Sequence, residues 1–484
     1  MLELQTVPGF EGIRQDDTSF VYLPGRGAYP RASWLSHAVD TRPLQFWREQ
    51  LQRWEYIPRS FTIPDGDRLL TVDVASLDIG NRSAKLCTQN STHRLVTLEL
   101  PAIVQPAPKN IRAGVVTNTV WRVLSDENPE DLWAGEEAAE GGRGFLVGST
   151  EERFHDKTYL TFLKIALAQL LFTAGYRDTV RLALGIGVRN SEVKVGRQGQ
   201  EVDPLVLAAI KALKGTFTVK RTLPSGDESE LTVMIERLYP AIQTLGAFFA
   251  YFYNLLCDPA QTEFKTIGVL DWGTGDLGYG IARYVEGRPL QIQADPIAPG
   301  MIRVAEALKA TINSSFRGMN YTTTMALQAL IKGYITVGGK DVLLGGSLPF
   351  PQAGTLQSGD GSQRAKQQSQ VLANERWLLF NSTLDNAIQS LLVDANPKMQ
   401  LGDQLLINVG GGLKVPTMAQ QLAERLKGLK PSEEHYLLAP EEVTTVMNAI
   451  GLYVYVYWQL MLVLRRMGQQ AGQQTPIGQQ PPIK

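Results

Sequence analysis

Three short glycine-bearing segments, Leu77-Asp78-Ile79-Gly80-Asn81, Asp271-Trp272-Gly273-Thr274-Gly275 and Asn408-Val409-Gly410-Gly411-Gly412, each follow an apolar run of strand character. Taken singly, an Asp-x-Gly is a turn, because aspartate bonds its own downstream backbone and glycine accepts positive φ without a steric cost. Two of them stand at the carboxyl ends of the apolar runs 70–77 and 267–270, where open α/β sheets place their ligands. Glycines there let backbone N–H groups come close to phosphate oxygens, while aspartates hold Mg²⁺ through its tightly bound waters. That combination is chemistry for a triphosphate.

Elements that could position these segments follow from the patterning. Strand runs at 70–77, 84–88, 95–100 and 115–123 open a β-meander, an acidic glycine-rich loop occupies 126–142, and 145–147 resumes as strand. Residues 158–174 carry apolar side chains at helical spacing, stopped by Gly175, and 180–188 reads as a buried strand. The second half repeats this grammar: an apolar helix at 241–256, strands at 267–270, 279–284 and 290–294, helices at 301–312, 323–332 and 363–393, then a strand at 404–409. Strand–strand–strand–helix–strand thus occurs twice, each time beginning with Asp-x-Gly, which implies two like lobes facing a cleft. The expected division is an N-terminal extension at 1–68, rich in Pro and Trp with one short helix at 44–55, then lobe I at 69–240 and lobe II at 241–447. A closing helix at 448–467 packs back on lobe I, and a disordered tail rich in Gln, Gly and Pro fills 468–484.

Composition removes several classes. With 484 residues, 44% hydrophobic, 20% charged and a net charge of -1, the chain has a large core and no overall pull toward nucleic acid or anionic membrane. Its only cysteines, Cys87 and Cys257, are far apart, no C-x-x-C or H-E-x-x-H occurs, and His37, His93, His155 and His435 are scattered. Zinc and disulfide readings drop out, and reduced cysteines without a charged-then-apolar leader suit the cytoplasm. The apolar run 449–464 is short for a membrane span and carries tyrosines and Gly451 mid-segment, so it reads as a packed terminal helix.

With these residues in view, the chain from about 69 to 466 resembles the actin-like ATPases, most closely the ParM-type plasmid-segregation branch of bacterial and archaeal actin-like proteins. The family's first phosphate loop, Asp-x-Gly-Asn-x-x-x-Lys, matches Asp78, Gly80, Asn81 and Lys85. Its apolar-Pro-small stretch is similar to Leu98-Glu99-Leu100-Pro101-Ala102, its next strand to Phe145-Leu146-Val147-Gly148, and its strand closing the first lobe to residues 182–188. Ala241-Ile242-Gln243, leading to Asp271, looks like conventional actin, where the equivalent glutamine positions the attacking water. Gly410-Gly411-Gly412 resembles the adenosine turn, and Met447-Asn448-Ala449-Ile450-Gly451 the start of the closing helix.

The resemblance implies an α/β fold of two similar actin-like, ribonuclease H-like lobes with mixed five-stranded sheets around a nucleotide cleft. It implies ATP, with GTP as the alternative, together with Mg²⁺ held through water by Asp78 and Asp271. Gly80, Asn81, Lys85, Gly273, Thr274 and Gly275 would hold phosphates, Gly410, Gly411 and Gly412 the nucleoside, and Gln243 with Asp271 would be catalytic. The implied function is a filament-forming ATPase whose partners are itself and a DNA-bound adaptor, with no direct nucleic-acid contact and no membrane.

Two departures point to slow hydrolysis, or to nucleotide binding with little hydrolysis. Asp276, Leu277 and Gly278 follow Gly275 where the segregation actins place Thr and Asp, and no carboxylate stands at Val188-Arg189-Asn190, although Glu192 is near. The same fold serves metabolite kinases, chaperones and non-polymerising scaffolds. A kinase base and a chaperone's substrate domain are both missing from the sequence pattern, whereas a scaffold differs from the filament reading only in its failure to sediment with ATP.

Overall fold

The computed structural model describes residues 20–23, 27–30, 45–48, 53–56, 59–66, 68–80, 83–92, 94–108, 118–140, 145–146, 153–196, 199–251, 266–285, 288–316, 318, 320–337, 339–345, 349, 361–400, 405–431, 435–439 and 444–473. The chain divides into two compact units, Met1–Lys194 with Val202–Gln261 and Asn448–Lys484, and Val195–Glu201 with Thr262–Met447.

In the first unit, β1 (Arg68–Ile79), β2 (Ser83–Gln89) and β3 (Leu95–Pro101) form an antiparallel meander. On the other side of β1 lies β4 (Asp178–Val188), parallel to it, and then β5 (Glu228–Ile242), parallel to β4, giving the order β3-β2-β1-β4-β5. The run Leu-Ala-Leu-Gly-Ile-Gly-Val in β4 is almost wholly apolar because both faces of this strand are covered. Leu182, Leu184, Ile186 and Val188 join the core built by α1 (Lys157–Thr173), whose Phe162, Leu163, Ala166, Leu167 and Leu170 are fully buried. Helix α1 starts where Asp156 Oδ1 accepts from the amides of Thr158 at 2.8 Å and Tyr159 at 3.3 Å, and Gly175, at φ +88°, follows its end.

The alternate β4 residues, Ala183, Gly185 and Gly187, face a C-terminal helix running over Met447–Gln473. A side chain at Gly185 would meet Val456 Cγ2 at 2.8 Å and the Leu452 carbonyl oxygen at 3.1 Å, so the small residues admit the helix backbone itself. Ser76 Oγ donates to the Ala449 carbonyl at 2.6 Å, Tyr453 Oη shares a 3.1 Å hydrogen bond with Gln89 Oε1, and Tyr457 meets Phe61 edge to face at 5.3 Å. The segment Met447–Leu464 is long and apolar enough to cross a bilayer by length and composition, yet 69% of it is buried within the protein.

The first sheet is larger than the expected five strands. Beyond β5 come Gly215–Thr222, Val120–Val123, Leu132–Ala134, Ile103–Pro106 and Phe145–Leu146, while Ser60–Asp65 pairs with the first half of β1, so the sheet has eleven strands around the five-stranded order. The expected loop at 126–142 contains one of these strands and a short helix, Glu136–Glu140, joined at Gly135 with φ +69°. The helix expected at 44–55 is instead a hairpin of Gln45–Arg48 with Arg53–Tyr56 in which Trp47 stands opposite Trp54. Polar and aromatic residues alternate with period two in Arg53-Trp54-Glu55-Tyr56, and aromatic residues favour strands. The helix expected from 241 also starts later. Ala241 and Ile242 end β5, and Gly246–Tyr251 is helical after a single 3-10 turn at Gln243–Leu245. The tail at 474–484 and most of the N-terminal extension lie outside the described residues.

The second unit repeats the order. Strands β6 (Thr266–Trp272), β7 (Asp276–Val285) and β8 (Arg288–Pro299) form the meander, β9 (Leu405–Val409) is parallel to β6, and β10 (Tyr436–Leu438) is parallel to β9. The sheet reads β8-β7-β6-β9-β10, the same sequence of neighbours and directions as β3-β2-β1-β4-β5. Helices α2 (Met301–Ser315), α3 (Thr323–Lys332), α4 (Gly361–Met399) and α5 (Pro416–Leu429) enclose a core of Leu308, Ile312, Leu330, Leu384, Ile388, Leu391, Leu422 and Leu426. The Met447–Gln473 helix, α6 in chain order, joins the first unit from Asn448.

Candidate functional site

Each five-stranded order places an Asp-x-Gly at the carboxyl end of its first strand, and the two turns are built differently. In the first unit Asp78 lies opposite Lys85 across the β1–β2 hairpin, and the Gly80 amide donates to the Ser83 carbonyl at 3.0 Å to close the turn. A side chain on Gly80 would meet Lys85 Nζ at 3.2 Å, so the ammonium curls back over the turn and occupies the space that glycine leaves. Asp78 is 1% exposed, and its Oδ1 lies 3.1 Å from where a side chain on Gly187 of β4 would begin. Asn81 lies outside the described residues.

Beneath this turn Arg153, fully buried, donates to the Ile79 carbonyl at 2.6 Å, to the Gly187 carbonyl at 3.1 Å and to both carboxylate oxygens of Glu192 at 2.9 and 2.8 Å. Burial opposes charge on this guanidinium, but Tyr159, Glu192 and Asp78 outweigh it and its pKa is raised. Glu192 also accepts from the Arg189 amide at 2.8 Å. The carboxylate nearest in sequence to the vacant acidic position is therefore committed to an ion pair. Asn190, 8% exposed, takes the adjacent place: its Oδ1 accepts from Thr244 Oγ1 at 2.6 Å, and its Nδ2 is buried without an acceptor among the described residues. Thr244 follows Gln243, whose carbonyl accepts from the Gly246 amide. Asn190 stands where the sequence pattern lacks the expected carboxylate, whereas Arg153 was not marked by it, since its partners are distant along the chain.

In the second unit Asp271 pairs with Gly278 on β7 and Val409 on β9. The Gly273 amide returns to the Asp271 carbonyl at 2.8 Å. The carbonyls of Gly273, Thr274 and Gly275 then accept the amides of Met301, Ile302 and Gly300 at 3.0, 2.8 and 3.1 Å. The N-terminal amides of α2, which would otherwise attract an anion, are thus spent on the loop. Side chains at Gly273 and Gly300 would strike the Asp276 carbonyl at 2.6 and 2.7 Å, which accounts for both glycines. At both Gly80 and Gly273 the N–H group closes its own turn.

The glycine triplet after β9 is likewise divided in role. Gly410 has φ +103°, donates to the Thr444 carbonyl at 3.0 Å, and leaves no room for a side chain against Asp271 Oδ1 and the Trp272 backbone at 2.8 Å. Gly412 packs on the Trp272 carbonyl at 2.9 Å and Met301 Cγ at 3.0 Å. At Gly411 a side chain would meet nothing nearer than Thr445 Cγ2 at 3.9 Å, so this is the glycine of the three that leaves open surface. Trp272 is buried and donates through Nε1 to Asn408 Oδ1 at 3.1 Å, fixing β6 to β9 beneath the turn. Gly410→Ala is expected to lower the melting temperature, at a cost of about 1–3 kcal/mol in backbone strain alone, whereas Gly411→Ala leaves melting unchanged. Equal effects on thermal unfolding would contradict this division.

The residues present suit a magnesium nucleotide in each half separately: a buried carboxylate beside a lysine at one turn, and a carboxylate beside an open glycine at the other. Among the described residues no group of three or more His, Cys, Asp or Glu side chains gathers.

The repeated strand order and its paired hairpins define an actin-like fold. Among solved structures, an archaeal actin homologue is similar with a TM-score of 0.52 and 16% identity, covering 78% of this chain and 98% of its own. The same homologue in complex with ADP gives 0.50 and 16%, covering 78% and 97%. A non-polymerisable quadruple mutant of pCBH ParM gives 0.51 and 15%, covering 82% and 99%. No family model and no curated protein matches the sequence.

Proposed function

We propose that this protein is an actin-like ATPase that binds ATP with Mg²⁺, assembles into filaments in that state and hydrolyses the nucleotide slowly. The observation that carries the reading is the recurrence of Asp-x-Gly at the same point of the same strand order, at Asp78 and at Asp271. The likeness to an actin homologue in complex with ADP supports a nucleotide as ligand. When bound, Mg²⁺ would offset the charge of the β- and γ-phosphates. In this reading Asp78 and Asp271 orient its waters, Lys85 meets phosphate oxygens, Gly273, Thr274 and Gly275 shape the second loop, and Gly411 floors the nucleoside. Gln243 orients the attacking water. Asn190 Nδ2 offers a neutral donor where a carboxylate would act as base, and the commitment of Glu192 to Arg153 favours slow turnover.

A cytoplasmic role in moving plasmid DNA through a DNA-bound adaptor, or in another cytoskeletal task, follows from the same reading. Pelleting and electron microscopy of the full chain with ATP, GTP, a non-hydrolysable analogue or no nucleotide test it: assembly is expected with triphosphate and analogue only. Nucleotide binding without assembly would leave a non-polymerising ATPase or scaffold. Gln243→Ala is expected to slow phosphate release on the order of a hundredfold while filaments persist, and an unchanged release rate rejects that role.

A further inference from the structure

We propose that Arg153 and Glu192 form a positioning strut that sets the first Asp-x-Gly turn for its ligand, an inference that rests on the nucleotide reading above. Arg153 is 0% exposed and so touches no ligand itself. Its guanidinium holds the carbonyl of Ile79, the residue between Asp78 and Gly80, and the carbonyl of Gly187, the residue on which the Asp78 carboxylate rests. One planar cation thereby fixes the ends of two neighbouring parallel strands, β1 and β4, at the place where the aspartate projects. Bidentate pairing with Glu192 fixes the guanidinium's orientation, and Glu192 in turn anchors the Arg189 amide just beyond β4. Phe154, 4.8 Å from the guanidinium carbon to its ring centroid, and Tyr159, at 5.6 Å, wall in the charge.

Such an arrangement is costly to build, since a buried ion pair gives up the hydration of both charges and apolar residues of similar volume are often as stable. Its value lies in geometry, because a lysine cannot reproduce the two-sided fork. The strut therefore separates stability from positioning in a way that can be measured.

The test uses the full chain with Arg153→Lys, Glu192→Gln and the double replacement Arg153→Met with Glu192→Leu, each followed by thermal melting, binding of a fluorescent ATP analogue across Mg²⁺ concentrations, and hydrogen exchange. Arg153→Met alone would strand a buried carboxylate and is avoided. The double variant is expected to melt near the parent temperature, to exchange faster at 79–85 and 187–192 with α1 unchanged, and to bind nucleotide about tenfold or more weakly with a higher Mg²⁺ requirement. Unchanged exchange at the turn overturns the strut whether or not nucleotide binds. Faster exchange with parental affinity and Mg²⁺ dependence overturns its positioning role. If the parent itself binds no nucleotide, the nucleotide reading fails, and the proposed role in ligand binding fails with it, while the exchange data still report on the turn.

Discussion

Asp271→Ala is expected to weaken Mg²⁺-dependent ATP binding by roughly a hundredfold, about 2.8 kcal/mol, and to abolish nucleotide-dependent assembly. The carboxylate sits at the end of β6, with Gly410 closed against its Oδ1 and the Gly273 amide bonded to its own carbonyl. Its backbone position is thus fixed by β7, β9 and the glycine turn, and loss of the side chain removes charge without removing those supports. Asp271→Asn keeps the shape and loses the charge, so it should resemble the alanine variant in binding and the parent in melting. Assembly unchanged at equal ATP would count against the mechanism.

Gly451→Ala should produce the largest stability loss of any alanine replacement among the described glycines, more than about 3 kcal/mol. A side chain there falls on the Gly246 carbonyl oxygen, far inside contact, and within 3.0 Å of the Ala250 amide nitrogen. Reciprocally, a side chain on Gly246 would meet the Asn448 carbonyl at 2.5 Å, and Asn448 Oδ1 accepts from the Ala247 amide at 3.1 Å. The two helix backbones cross directly at this pair of glycines, so the added methyl must push α6 away from β4, where Gly185 and Gly187 also depend on close approach. Thermal denaturation measures the effect; a shift no larger than that of an exposed Gly428→Ala, whose added atom meets nothing within 4 Å, would contradict the packing.

Local patterning made much of the fold legible. Helix α1 was readable because its apolar spacing is stopped by Gly175, while the Asp156 cap emerged with the structure. The hairpin that brings Asp78 opposite Lys85 was readable as the two neighbouring strand runs 70–77 and 84–88, although the register itself comes from the structure. Strand β5 went unread although Leu231, Val233 and Ile235 alternate with outward residues, a period-two signal among charged neighbours. The hairpin at Gln45–Arg48 and Arg53–Tyr56 was read as helix because its aromatic spacing fits a short helical stripe as well as a strand pair.

The site was legible by halves. Glycines at 80, 273 and 410 were recognised; in the structure they close turns and admit backbone, and among the triplet Gly411 retains open surface. Arg153 had no signal in its own surroundings, since its partners lie 74, 34 and 39 positions away. A side chain that acts through carbonyls of distant strands leaves no motif, because any residue supplies a carbonyl.

A double-mutant cycle on Mg²⁺-ATP binding, with Asp78→Ala, Asp271→Ala and both together, tests most directly whether the two hairpins serve one ligand. One nucleotide per parent chain is expected, with each single change removing most of the affinity and the double adding little beyond either. Strictly additive losses, two independent sites, or full affinity after either replacement would contradict it.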